Sequence, residues 1–430
     1  MSQCVTAPFD VDEDAAWSVL VSRLGKELGN TGELEGRAAT QDLLAHFLCV
    51  PDPRKAAWVE HPLAVVLGLA AGAVVAGIRS FTAIAGWVED APSDLLAWLY
   101  VRCEYAVPLG PPSKTTLWRL VTGVDADALD LAIGAWLPAR ATAQHEADRV
   151  PEPVADPADE PGTVDSAVVR LVPLAVDGKV ARSARDKDGK QVRLLAAMLH
   201  DQRLVLNQVG VGAKTNEIPM LRPLLDPLDI TGHVITADSL HTQRKTASYL
   251  HGRDAHFLFQ VKGNQPKLFA ALDALPWRDT PIGHTATTRG HGRITTRTMQ
   301  VLPAPEDLNF PHVHQVFLIE RQVTDLKGKP LSNVAVLGVT DLTAIQADAT
   351  VIAEFTLGQW GLESLHWLRD TLYREDDSKV RTRSGPRAMA ALRNLAIGAH
   401  QLTGRTDITE ATRWACRDRR RPFTILGLDH

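Results

Sequence analysis

The chain has 430 residues, a formal net charge of −5, and a composition that is 45% hydrophobic and 23% charged. That is too long for one ordinary core, so two or three domains are expected. The composition is that of a soluble globular protein, and the slight acidity argues against a protein that coats nucleic acid non-specifically, while leaving local basic surfaces open.

The four cysteines, Cys4, Cys49, Cys103 and Cys416, form no C-x-x-C pair and read as reduced thiols, not as a disulfide frame or zinc site. Met1 to Asp14 carries acids and no apolar core, unlike a secretory leader. Helical candidates run Ala15–Leu28, Thr40–Leu48, Pro62–Ala76, Ser80–Glu89, Asp94–Cys103, Lys114–Leu120 and Asp125–Leu137, several of them opened by Ser or Asp as N-caps. The apolar run Leu63–Ile78 is shorter than the ~20 residues of a bilayer span and reads as a buried helix, so no membrane partner is expected. Residues 1–140 therefore form a helical domain. Within it, Ser113 opens a helix whose Lys114, Thr115 and Arg119 face outward, a weak helix-turn-helix signal with a plain capped helix as its alternative.

Residues 141–168 are an acidic linker with four prolines between Thr142 and Asp165 and few large apolar residues. The rhythm then turns to strands. Arg170–Asp177, Gln191–Leu199 and Leu204–Val211 suggest an antiparallel trio. A helix over Asn216–Leu228, strand His233–Asp238, helix His241–Leu250, strand His256–Val261 and helix Gln265–Leu275 follow, a mixed α/β layout. Further β segments at Thr285–Thr288, Arg293–Val301, His314–Gln322 and Val334–Thr340 lie within 276–342. One helix is expected over Thr356–Tyr373, and the tail 403–430 is basic through Arg417, Arg419, Arg420 and Arg421.

Two acids stand out. Asp177 and Asp238 each end a strand, and the carboxyl ends of strands form the ligand-binding rim of an α/β sheet. Adjacent carboxylates repel unless a cation lies between them, and hard oxygen donors suit Mg²⁺ or Mn²⁺. Two such ions promote phosphodiester chemistry by activating the attacking oxygen and stabilising the leaving one. Asp at a strand end is also a common turn former or helix cap. A third acid is available in Glu363, which shares a helical stripe with Trp367, Asp370 and Arg374; Asp370 and the trio Glu375, Asp376 and Asp377 are its rivals.

The segments AVDGKVARSARDKDGKQVRLLAAM from Ala175, AKTNEIPMLRPLLDPLDITG from Ala213, VITADSLHTQRKTASYL from Val234, VKGNQP from Val261, RGHGRITTRT from Arg289, WGLESLHWLRD from Trp360 and YREDDSKVRTRSGPRAMAALRNLAIG from Tyr373 carry a family likeness. The chain resembles a bacterial DDE insertion-sequence transposase of the ISAs type, over about Asp52 to Leu402. The resemblance implies an RNase-H-like catalytic domain over 169–402 with a β-rich insertion, preceded by a transposase-associated helical domain. It implies a triad of Asp177, Asp238 and Glu363 holding two Mg²⁺ ions, for which Mn²⁺ substitutes. The activity implied is cleavage of double-stranded DNA at element ends and strand transfer into target DNA, by a homodimer acting at the nucleoid in the cytoplasm.

Basic and polar residues near the triad are candidates for phosphate contact: Lys179, Arg182, Lys214, Asn216, His241, Lys262, Asn264, Arg289, His291, Arg293, Arg374 and Arg381, with Arg297 beside them in the insertion. Asn216 also reads as a helix cap. The sequence departs from the family before Trp360, where Gln359 stands in place of basic residues, in the turn after Asp177, and in the acidic linker. These departures bear on DNA handling. The alternatives are a domesticated transposase that binds DNA without mobilising it, and a nuclease without strand transfer.

Overall fold

The computed structural model describes residues 41–55, 59–147, 171–185, 189, 191–212, 216–405 and 407–429. The predicted helix Ala15–Leu28 and the candidate Lys214 lie outside these, as does most of the linker. The chain divides into two compact units, one of Met1–Val150 with Thr382–His430, the other of Pro151–Arg381.

The helical unit begins with α1 (Leu43–Leu48), α2 (Leu63–Val75), α3 (Phe81–Glu89), α4 (Ser93–Arg102), α5 (Lys114–Gly123) and α6 (Ala126–Ala147). Three predicted caps form: Ser80 Oγ accepts from Ala83 N, Ser113 Oγ from Thr116 N, and Asp125 from the amides of Asp127 and Ala128, satisfying donors the first turn leaves orphaned; α4 starts instead behind Pro92, with Asp94 in its first turn. Every residue of α2 is buried, which explains its apolar character on all sides. No helix among the described residues is long and apolar enough to cross a membrane.

The sheet unit is built on one nine-stranded sheet, ordered β3-β2-β1-β4-β5-β9-β8-β7-β6. Strands β1 (Val172–Arg185), β2 (Gln191–Leu199) and β3 (Val205–Val211) are antiparallel. Strand β4 (His233–Ala237) lies parallel to β1, and β5 (His256–Val261) parallel to β4. This 3-2-1-4-5 core is the RNase-H-like arrangement. The crossovers carry short helices α7 (Leu221–Leu225), α8 (Arg244–His251) and α9 (Pro266–Asp273). Leu174, Val176, Ile235, Phe257 and Phe259 project from the core strands into one hydrophobic cluster with Leu224 and Leu250 from the helices. The central strands are apolar on both faces because the second face is covered too: Val234, Leu258 and Phe317 pack with Ile352 and Phe355.

The β-rich stretch comprises β6 (His284–Gly290), β7 (Arg293–Pro303), β8 (Gln315–Asp325) and β9 (Pro330–Thr340). It is not a separate sheet. Strand β9 pairs antiparallel with β5, from Leu258↔Thr340 to Val261↔Leu337, so the insertion extends the core. The β6–β7 hairpin turns at His291 and Gly292, both at positive φ, the conformation a two-residue hairpin loop requires.

The helix expected over Thr356–Tyr373 is two helices, α10 (Ala349–Gly358) and α11 (Gly361–Thr371). At the break, the Gln359 side chain donates to Val176 O (3.0 Å) and accepts from Thr236 Oγ1 (2.5 Å), which also contacts His200 Nε2 (2.9 Å). A side chain at Gly358 would overlap the His200 ring. The start of α11 is thus pinned to β1 and β4 by a long-range polar network that local spacing does not reveal.

The remaining helices are α12 (Gly385–Leu402), α13 (Ile408–Cys416) and α14 (Arg421–Leu426). The contact division puts them with the helical unit, not with the sheet unit or in a free tail. Helix α12 packs on α2 and α6, and His400 Nε2 lies 2.9 Å from Val75 O. Phe423 of α14 is fully buried against Gly72. The basic tail therefore folds, because Phe423, Leu426 and Leu428 supply buried apolar surface between its arginines.

Candidate active site

The parallel register of β1 and β4 ends at Val176↔Ala237, so the next residues, Asp177 and Asp238, leave the ladder side by side. Asp177 is not at a strand end as its Gly178-Lys179 sequel suggested. Strand β1 runs on to Arg185 paired with β2, with Asp177 opposite Ala196, and rim geometry arises on the β4 side only. Asp238 caps the following 3-10 turn, its Oδ1 accepting from Leu240 N at 3.0 Å. The capping bond orients one carboxylate oxygen and leaves the other for a ligand. Glu363 is exposed in the first turn of α11, while Leu362 and Leu365 bury the opposite side of the helix.

These acids sense one another. Asp177 is pushed up to about 7, chiefly by burial, and further by the charges of Asp238, Glu217 and Glu363, against a lowering hydrogen bond from Gly178. Glu217 belongs to the same group: burial and Asp238 raise it, and Arg193 opposes. Its carboxylate lies over Gly178, where any Cβ would overlap it. The glycine after Asp177 thus serves close approach, not a turn.

Three of the four rivals to Glu363 are occupied, and the fourth, Asp377, is exposed. Asp370 accepts from Lys179 Nζ at 2.6 Å. Glu375 is buried and takes two hydrogen bonds from Arg369, at 2.7 and 2.8 Å. Asp376 accepts from Arg182 N at 3.0 Å. Glu363 has no ion pair among the described residues, and it is the helix acid whose charge reaches Asp177.

Two histidines line the cluster. His366, one turn beyond Glu363, holds Nδ1 3.7 Å from Asp177 Oδ2. Burial, with Arg369 and Lys179 nearby, pushes it down to about 3, so it meets Asp177 as a neutral imidazole and the contact is not an ion pair. His241 is 1% exposed, with Nε2 4.0 Å from Glu217 Oε2; burial lowers it as well.

The donor set fits a hard divalent cation. Carboxylate oxygens near like charge gain most from one, and it would relieve the repulsion that adds to burial in raising Asp177. Among the described residues no three acidic, His or Cys side chains stand in ready-made coordination, so ligation requires the carboxylates to draw together.

The DNA candidates divide. Lys179 and His241 are buried, Lys179 because its strand continues into the sheet and its ammonium is held by Asp370, His241 because its turn tucks under the rim; neither presents its head to an external ligand. Asn216 accepts from Ile218 N at 3.2 Å in a local turn but is not the helix cap expected, since Glu217 stands at the N-cap of the 3-10 helix that follows. Asn264 donates to Ser239 O at 2.5 Å, tying the loop after β5 to the turn after Asp238. Arg182, Lys262, Arg289, His291, Arg293, Arg374 and Arg381 are exposed. Sequence reasoning misses Glu217, although it follows Asn216 in the NEI segment, and His366, three residues beyond Glu363, because the helical stripe of Glu363 runs through Trp367.

An RNase-H-like sheet with acids gathered where its central parallel strands end is the architecture that the resemblance implied. A family model described as Transposase DDE domain matches residues 164–398, more than half of the chain, and one described as DDE_Tnp_1-associated matches residues 44–137. The chain belongs to the DDE transposase family. "Putative transposase YncI" of Escherichia coli O157:H7 is 26% identical over 372 residues, covering 83% of this chain and 86% of its own. "H repeat-associated putative transposase YhhI" of Escherichia coli K12 is 26% identical over 374 residues, covering 83% and 89%. Among solved structures, the piggyBac transposase in its synaptic complex with hairpin DNA is 10% identical with a TM-score of 0.36, over 85% of this chain and 72% of that one, a likeness too low to carry argument.

Proposed function

We propose that this protein is a DNA transposase of the ISAs type that cleaves double-stranded DNA at the ends of its element and transfers the freed strands into a target. Asp177, Asp238 and Glu363 hold the divalent ions, Mg²⁺ or Mn²⁺. When bound, two such ions activate the attacking oxygen and stabilise the leaving oxygen of an in-line displacement. Asp238 is pre-oriented by its bond to Leu240 N, and Glu363 is set by the Gln359 tether at the start of α11. The neutral His366 ring, 3.7 Å from Asp177 Oδ2, limits the rotation of that carboxylate. Glu217, leaning over Gly178, adds a fourth carboxylate to the rim. Exposed Arg182, Lys262, Arg374 and Arg381 supply phosphate contacts that fix register without reading bases.

The observation that carries this reading is the parallel register of β1 and β4, which brings Asp177 and Asp238 off the ladder as neighbours; the charges of Asp238, Glu217 and Glu363 add to the burial that chiefly raises Asp177, an arrangement that a cation relieves. The test is incubation of the protein with duplexes bearing the inverted repeats that flank its own gene, in Mg²⁺ or Mn²⁺, followed by denaturing gels. Nicks at the repeat boundary are expected from the wild type. Sequence-specific binding without a nick in either metal would instead establish a domesticated DNA-binding protein.

A further inference from the structure

Strands β7 and β8 place Arg297 directly opposite Arg321. Like charges at such cross-strand positions repel and are normally avoided or screened by an acid. Among the described residues neither arginine has an ion pair. The same row of the sheet continues to Ala286 on β6 and Val334 on β9, and the next positions along the two strands on that face are Thr295, Met299, Ile319 and Val323. The pair is not simply solvated either: both residues are half-buried, and the Nε of each is shielded from water without a hydrogen-bond partner. Two guanidiniums on directly opposed positions of neighbouring strands, whose forks make no hydrogen bond among the described residues, form a receptor for a tetrahedral oxyanion, since their forks match phosphate geometry.

The location tells which phosphate. Arg297 stacks over the Trp360 ring, 5.3 Å from its centroid, and Trp360 is the residue from which α11 starts, one turn before Glu363. We infer that Arg297 and Arg321 form a phosphodiester clamp that grips the DNA backbone beside the catalytic rim. Trp360 fixes Arg297 by stacking, which leaves its fork free. The clamp restores a basic contact at the place where Gln359 replaces the family's basic residues. This inference rests on the transposase reading. Neither residue touches a metal-holding carboxylate, so the two are separable by experiment.

The measurement is fluorescence anisotropy of full-length protein with a labelled duplex bearing the flanking repeats and with a scrambled duplex, across a salt series without divalent metal. For Arg321→Gln, the plot of log affinity against log salt flattens by about 1, and affinity falls roughly tenfold on both duplexes alike. Arg321→Glu is the second variant. It places a carboxylate opposite Arg297, so binding falls further while the melting temperature stays level or rises. A purely structural arginine would show the reverse, a lower melting temperature with the salt slope intact. That result, or wild-type slope and affinity in Arg321→Gln, overturns the clamp alone. Failure of the wild type to bind either duplex overturns the clamp and the transposase reading together.

Discussion

In the helical unit, Arg387 lies 2.7 Å from Asp127 and 3.0 Å from Asp130, Arg419 lies 2.8 Å from Asp90, and Arg420 lies 2.7 Å from Asp94. In the sheet unit, pairing is just as close around the second half of β1 and the end of α11, where Lys179 and Arg369 meet Asp370 and Glu375. Like charges gather instead at the rim, where Asp238, Glu217 and Glu363 act on Asp177, and on the β7–β8 face, where Arg297 meets Arg321. Paired charges hold a fold together at modest gain. Like charges gathered in a half-buried place oppose folding and persist where a ligand of opposite sign relieves them. On the proposed reading, the contrast separates, within one chain, the charges that build from the charges that bind.

The largest effect should come from the rim. Asp177→Asn, Asp238→Asn and Glu363→Gln are each expected to reduce end cleavage by at least roughly a thousandfold, read as single-turnover nicking. Normal nicking by Glu363→Gln would break the comparison at its root, because Glu363 was chosen over Glu375 for being unpaired.

Glu375→Gln should act differently. It removes the carboxylate that faces buried Arg369 and should cost about 3–5 kcal/mol of stability, a loss visible as a melting temperature lower by roughly 10 °C. A folded, fully stable but inactive Glu375→Gln protein would move Glu375 from the building set to the binding set.

A smaller shift, of opposite sign, is expected from Asp177 in metal-free protein. Its folded carboxyl titrates near 7 against an ordinary 3.8. Below about pH 4 both folded and unfolded chains hold the proton and nothing is lost. From pH 4 to 7 the unfolded chain releases its proton first, so stability falls as pH rises. Asp177→Asn removes that penalty and should raise the melting temperature at pH 8 by roughly 5 °C, with little change at pH 4. A drop at pH 8 would contradict it. Arg419→Gln, which breaks a largely exposed pair, should change stability by less than about 1 kcal/mol; a larger loss in chemical denaturation would blur the division between regions.

Much of this was legible in the sequence. The strands carrying Asp177 and Asp238 were visible as apolar runs ending in acids, and the transposase likeness was carried by contiguous segments. What escaped depends on residues far apart in the chain. Glu217 reaches the rim only because Gly178 leaves room for it, and Arg321 becomes notable only through its register with Arg297, 24 positions away in the numbering. The break between α10 and α11 follows from Gln359 bonding to Val176 and Thr236, and helix α12 joins the helical unit through contacts with α2 and α6. Local periodicity carries no trace of such partners.

The central claim, that the crowded acids of the rim await a divalent cation, is tested most directly by thermal unfolding at pH 8 with increasing Mg²⁺ or Mn²⁺, wild type against Asp177→Asn. The account predicts that the wild type starts lower and climbs with metal concentration, as a site that binds only in the folded state requires, while the variant starts higher and stays flat. A wild type indifferent to both metals, or a variant that climbs equally, would contradict it.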